Sequence, residues 1–378
     1  MTDQITLPRL NILQSSQAPE IPEPDARLAT GVRRLNLNES PWPPSPKALA
    51  AMATALTEIT RYPDHGCSAL TRRLSVHNDI PEDRITFGNG SSEILAHISQ
   101  VMIETGDEAI LPTPTFPACA AGLNQAGGKI INVPVAEDGS NDVAAMLEHL
   151  GDKTRIFYLC TPNNPTGAAI SAADLKRAAI EVPDNCLLVI DEAYFEFAAT
   201  APGEGVLDIM KHRTGPWIIT RSFSKAYGLA GLRIGYAFTS SAELRNSFWS
   251  LRTGFNINRV ALAGAVAALD DVDYLANTLK TVIAERERLA DGLTALGFVP
   301  CESQANFLMA RSIGPADRFV AALIGQLVKV DGKQRGLFAH IGLPFVVAVN
   351  FERARRDHVL PAMILEVRCH ECSPCNLL

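Results

Sequence analysis

Short apolar runs alternating with helical segments constrain this chain most. "EAILPTPTFP", "KIINVPV", "TRIFYLC", "CLLVIDEAYF" and "PWIITRS" are β-branched or apolar runs closed by Pro, Asp, Asn or Ser. Helical stretches such as "SAADLKRAAIEV" lie between them. A strand that is apolar along its whole length is buried on both faces, and strands joined through helices run parallel. The pattern predicts an α/β fold whose large three-layer domain holds a mostly parallel sheet, with a smaller α+β domain beside it. Upstream, the residues to about Pro46 are rich in proline and polar side chains and end in "LNLNESPWPPSP", which reads as an extended arm with turns. "SPKALAAMATALTEI" has capping residues and helical spacing. After about Ser250 the pattern is helical over "VALAGAVAALDDVDYLANTLKTVIAERERLADGLTAL", and an α+β portion follows from Phe298. The expected division is an N-terminal arm over 1–45 that joins the small domain, a large domain over 46–250 and a small domain over 251–378.

Composition matters mainly for what it excludes. With 378 residues, 47% of them apolar, the chain can bury a large core. Its 34 basic and 41 acidic residues leave a net charge of −7, which argues against a nucleic-acid surface. No apolar run reaches the ~18 residues of a membrane helix, and "MTDQITLPRLN" lacks the basic-then-apolar pattern of a leader. Cys67, Cys119, Cys160, Cys186 and Cys301 are scattered singly, as free thiols in a reducing compartment are. These features together lead us to expect a cytoplasmic protein. The end of the chain, "RCHECSPCNLL", gathers Cys369, Cys372 and Cys375 around His370. Closely spaced thiolates can converge on zinc, but a structural zinc site needs a second half, and the sequence offers none. No metal is expected.

Ligands of open α/β sheets gather at the carboxyl ends of the strands. Four stretches put unusual polar residues there. "FGNGSSEIL" is a glycine-rich turn running into a helix, where free backbone N–H groups hold phosphate; Gly88 and Gly90 allow close approach, although a Ser-Ser cap also explains the string. In "CTPNNPTG" two prolines flank the Asn-Asn pair and leave the Asn164 amide at the sheet edge, or simply make a turn. "VIDEAYF" delivers Asp191 and then Tyr194 from an apolar strand. Burying that carboxylate is costly unless a cation or strong donor meets it. A protonated ring nitrogen would suit; a helix cap or a metal carboxylate are the alternatives. In "RSFSKAYGLAGLRIGY", Lys225 could form a Schiff base with an aldehyde. Ser222, Ser224 and Arg233 could then bind a dianionic phosphate, with Arg233 as a permanently charged fork.

Taken in this order, the four strings resemble the fold-type I pyridoxal-phosphate enzymes, specifically the class I/II aminotransferases. In finer detail they resemble the histidinol-phosphate aminotransferases and their relatives, the threonine-phosphate decarboxylases. The resemblance runs from "LNLNESPWPPSP" to "QANFLM" and includes "RYPD" at Arg61 to Asp64. It implies pyridoxal 5′-phosphate as cofactor in the large domain, with Lys225 as its covalent anchor and as the proton shuttle at the substrate carbon. Asp191 would pair with the ring nitrogen, and Asn164 and Tyr194 would hydrogen-bond the ring 3′-oxygen. Ser91, Ser92, Ser222, Ser224 and Arg233 would hold the phosphate. Phe116 would cover the ring face unless it is a plain core aromatic. Tyr62 would reach the phosphate of a neighbouring subunit, which implies a homodimer with shared active sites.

The implied activity moves an amino group between a small amine or amino acid, histidinol phosphate among them, and a 2-oxo acid, as in histidine biosynthesis. Decarboxylation of a phosphorylated amino acid, or a catalytically impaired scaffold, are the alternatives. The late strand departs from the family pattern. Where a substrate-carboxylate arginine is expected the sequence has Val346, and the closing glycine is Asn350. Either Arg335, Arg353 or another basic residue substitutes, or the substrate differs, or this copy is impaired. Cys119 also stands where relatives often carry a second aromatic.

Overall fold

In the computed structural model, residues 37–198, 204–295 and 297–311 are described, together with the backbone of Val346–Asn350 and Glu366–Arg368. The apolar runs form the centre of a seven-stranded sheet. Its strands are β1 (Ile85–Gly88), β2 (Glu108–Thr113), β3 (Lys129–Pro134), β4 (Thr154–Cys160), β5 (Leu187–Asp191), β6 (Trp217–Ser222) and β7 (Gly235–Thr239). They lie in the order β1-β7-β6-β5-β4-β2-β3. Only β7 runs against its neighbours; β3, β2, β4, β5 and β6 are parallel.

Alternation along each strand sorts the core into two faces. Phe157 and Leu159 of β4, Leu188 and Ile190 of β5 and Ile219 of β6 point to one face. Ile156, Tyr158 and Cys160, Leu187 and Val189, and Ile218 point to the other. Helices Ser68–Asn78 and Ala172–Glu181 cover the first face through Leu70, Leu74, Leu175 and Ala178. Helices Ser91–Met102 and Ala118–Ala126 cover the second through Ile94, Leu95, Ile98 and Leu123. Burying each Leu, Ile or Phe here contributes roughly 1.5–3 kcal/mol. The result is three layers.

Caps fix where the helices begin. Ser45 accepts the Ala48 N–H before Pro46–Leu56, with proline in the first turn, and Ser171 accepts the Asp174 N–H before Ala172–Glu181. Asn258 does the same for helix Arg259–Leu269. That helix lies beyond residue 250, yet Ala261, Ala265 and Ala268 are buried in the core of the large layer, against helix Pro46–Leu56. The long helix Val272–Ala295 then leads to β8 (Val299–Pro300) and β9 (Phe307–Arg311). These join β10 (Val346–Asn350) and β11 (Glu366–Arg368) in an antiparallel sheet of order β11-β10-β9-β8. A third apolar cluster, including Tyr194, Ala226, Val282 and Phe307, joins this part to the large layer. Among the described residues, no helix is long and apolar enough to cross a membrane.

Candidate active site

A cavity of about 340 Å³ opens where β4, β5 and β6 end. Ser91, Ser92, Phe116, Asn164, Asp191, Tyr194, Ser222, Ser224, Lys225 and Arg233 all line it. They come from loops far apart in sequence and meet because parallel strands deliver their carboxyl ends to one edge.

Asp191 is the last residue of β5 and only 1% exposed. Its Oδ1 accepts from the Thr220 hydroxyl at 2.9 Å and its Oδ2 from the Tyr158 hydroxyl at 3.2 Å. Burial pushes the carboxyl up to about 6, although these donors and the Ala193 N–H pull the other way. Nearby, burial and then the Asp191 charge push the Cys119 thiol up to about 12 and raise Cys160 as well. The donors holding Asp191 are neutral dipoles. A carboxylate buried in this way suits a cationic ring nitrogen.

The Lys225 amine donates to the Leu37 carbonyl at 2.8 Å and lies 5.7 Å from the Tyr194 ring centroid. The Tyr194 hydroxyl accepts from Asn38 Nδ2 at 3.2 Å and from Asn164 Nδ2 at 3.4 Å. The loop that carries Asn164 is pinned by its neighbour. Asn163 donates to the Pro114 carbonyl and accepts from the Thr115 hydroxyl. Gly167 closes the loop with a φ of 77°, and a Cβ there would collide with Ser303. Phe116 lines the cavity and also packs against the apolar cluster that contains Cys119 and Leu123.

Helix Ser91–Met102 presents its N-terminus to the cavity through Ser91 and Ser92. Arg233 reaches it, donating to the Ser224 hydroxyl at 3.5 Å and to the Asn89 carbonyl at 3.4 Å. Gly90, with φ of 79°, leaves the room for this; a Cβ there would run into the guanidinium. The Ser222 hydroxyl accepts the Ser224 N–H at 3.1 Å. Backbone donors, hydroxyls and an arginine fork make a cradle for a phosphate dianion. A buried carboxylate, an amine and an anion cradle along one cavity fit pyridoxal phosphate.

Tyr62 lies outside the cavity, 79% exposed and stacked on Phe255 at 4.7 Å. The backbone of Val346 pairs with Arg311 and that of Asn350 with Phe307. Their side chains lie outside the described residues, as do Arg335, Arg353 and the tail with His370, Cys369, Cys372 and Cys375. No metal-binding group of His, Cys, Asp or Glu occurs among the described residues.

Sequence reasoning missed Tyr158, Thr220, Asn38 and an ion pair behind the site. Arg221 and Glu192 meet at 2.8 Å, both buried, and Arg221 also donates to Asn78 Oδ1 at 2.9 Å. Each of these two charges adjoins a residue lining the cavity, Ser222 or Asp191. The signal for Tyr158 was present in "TRIFYLC": a phenol within an apolar strand needs a partner for its hydroxyl.

The family profile described as "Aminotransferase class I and II" matches residues 30–334. "Histidinol-phosphate aminotransferase 2" of Carboxydothermus hydrogenoformans is 38% identical over 289 residues, 76% of this chain and 79% of that protein. "Aromatic amino acid aminotransferase" of Streptomyces coelicolor is 34% identical over 281 residues, 74% of this chain and 77% of that protein. The crystal structure of histidinol-phosphate aminotransferase from Sinorhizobium meliloti in complex with pyridoxal-5′-phosphate matches with a TM-score of 0.72 and 30% identity, covering 79% of this chain and 80% of that one. Sequence and architecture agree: this chain belongs to the class I and II aminotransferases and is a pyridoxal-phosphate-dependent enzyme.

Proposed function

We propose that this aminotransferase takes the amino group of histidinol phosphate and passes it to a 2-oxo acid, with Lys225 as the proton carrier. The reading rests on one observation above all: the Lys225 amine lines the same cavity as the buried Asp191 carboxylate and the Ser222, Ser224 and Arg233 anion-binding groups. The names of several relatives, histidinol-phosphate aminotransferases at 34–38% identity, support the donor. Bound pyridoxal phosphate supplies an aldehyde that takes up the amino group and a ring that accepts electron density when the substrate C–H bond breaks. Lys225 Nζ would take the proton from the substrate carbon. Asp191 would stabilise positive charge on the ring nitrogen. Asn164 and Tyr194 would hold the ring oxygen, Phe116 would pack beside the ring, and Ser91, Ser92, Ser222, Ser224 and Arg233 would hold the phosphate.

The test is a donor screen on the purified, cofactor-loaded protein with 2-oxoglutarate as acceptor. Glutamate forming with histidinol phosphate, faster than with phenylalanine or tyrosine, is the expected result. Faster turnover with the aromatic amino acids would replace this donor, and carbon dioxide released from threonine phosphate would replace the reaction.

We further infer a homodimer in which Tyr62 reaches the partner's phosphate site. Supporting it, Leu49, Leu56, Ile59, Tyr62 and Phe255 are large apolar side chains left exposed on the single chain. Free cysteines at Cys67, Cys119, Cys160, Cys186 and Cys301 support a reducing, cytoplasmic setting.

A further inference from the structure

We propose that Tyr158 is a positioning residue for the ring-nitrogen site: its hydroxyl, donating to Asp191 Oδ2 at 3.2 Å, fixes the carboxylate's plane and keeps on it the negative charge that the ring nitrogen meets. The inference rests on the cofactor role given to Asp191 above.

Sheet geometry places the pair. Cys160 of β4 lies opposite Asp191 of β5, and Asp191 lies opposite Thr220 of β6. Residues directly opposed in a sheet share a face, and so do residues two apart on one strand. Tyr158, Cys160, Asp191 and Thr220 therefore project to the same side. Tyr158 and Thr220 hold one oxygen each, so the carboxylate cannot rotate without breaking a bond. Tyr158 is 0% exposed, which leaves its hydroxyl no water to fall back on.

The chemistry of the donors explains the choice. A lysine beside Asp191 would cancel its charge and leave it little attraction for a ring N–H. Neutral donors stabilise the charge without cancelling it. The groups around Asp191 fit this division: the thiols of Cys119 and Cys160 stay protonated, as does Tyr158, and Glu192 turns away onto Arg221. Lys225 lies in the same cavity and is proposed for the proton transfer. If Tyr158 loses its hydroxyl, Asp191 keeps only the Thr220 hydroxyl and the Ala193 N–H as donors and becomes the stronger base. The proton shared with the ring then moves toward the carboxylate.

The experiment loads wild type and Tyr158→Phe with cofactor whose ring nitrogen carries an NMR label. In wild type the resonance should be that of a protonated ring. In Tyr158→Phe it should move toward the unprotonated position, with a roughly tenfold weaker cofactor dissociation constant. A wild-type resonance in a folded Tyr158→Phe protein overturns the inference and leaves the proposed function standing. Wild type that takes up no cofactor sinks both. Should the variant not fold, labelled Tyr158 in wild type carries the test. Its ring-carbon signal must move when cofactor is added, because pairing with the ring weakens Asp191 as an acceptor, and a stationary signal overturns the inference.

Discussion

Lys225 and Arg233 carry charge for one ligand in different ways, and substitutions separate them. Lys225→Ala removes the only amine lining the cavity among the described residues; transamination should fall by at least about a hundredfold, and the protein should lose the yellow absorbance that borohydride bleaches in wild type. Arg233→Lys keeps the charge and loses the fork that spans Ser224 and Asn89. Cofactor should bind about tenfold more weakly, read by titration, with colour retained at saturation. Glu196 makes a third test. It is buried in the short helix Phe195–Ala198, its carboxylate oxygens have no side-chain partner among the described residues, and burial pushes it up to about 7. Because its folded value lies above its unfolded one, its stabilising effect is complete below about 4.5 and is lost as pH rises through about 7. Glu196→Gln should therefore be the more stable protein near pH 8, on the order of 3 kcal/mol by denaturant titration, and gain nothing near pH 4.

At the scale of elements, the site is a set of strand ends, and the buried Arg221–Glu192 pair ties two of them together from behind. Arg221→Met leaves Glu192 buried without its cation and should cost about 3–5 kcal/mol by chemical denaturation. Replacing both, Arg221→Met with Glu192→Leu, should recover most of that. The strands themselves were legible because runs such as "CLLVIDEAYF" can be buried on both faces only in a parallel sheet. Asp191 and Asn164 were legible for a related reason: a carboxylate ending an apolar strand and an amide set between prolines both look out of place. Arg221 was hidden although it opens the same string as Lys225. Its partner is a neighbour in the sheet and not in the sequence, and strand order is not written in local spacing. Tyr158 was hidden likewise, since "FYL" reads as core until the register with β5 is known.

At the scale of the whole molecule, exposed Tyr62 and Phe255, stacked together, are the surface on which the proposed homodimer rests. Sedimentation should find two chains together, and dilution below the dissociation constant should release cofactor along with the partner. Tyr62→Ala should weaken cofactor binding without lowering the unfolding temperature of the single chain, because its ring contributes little to that chain's core. The arm ties the molecule together within the chain. Leu37 offers its carbonyl to Lys225, Asn38 holds the Tyr194 hydroxyl, and Asn306 from the loop before β9 holds the Asn38 carbonyl. Two consecutive arm residues thus work as a keystone between the halves of the protein. A displacement of Asn306 is therefore passed through two adjacent residues to the Lys225 amine and the Tyr194 phenol alike.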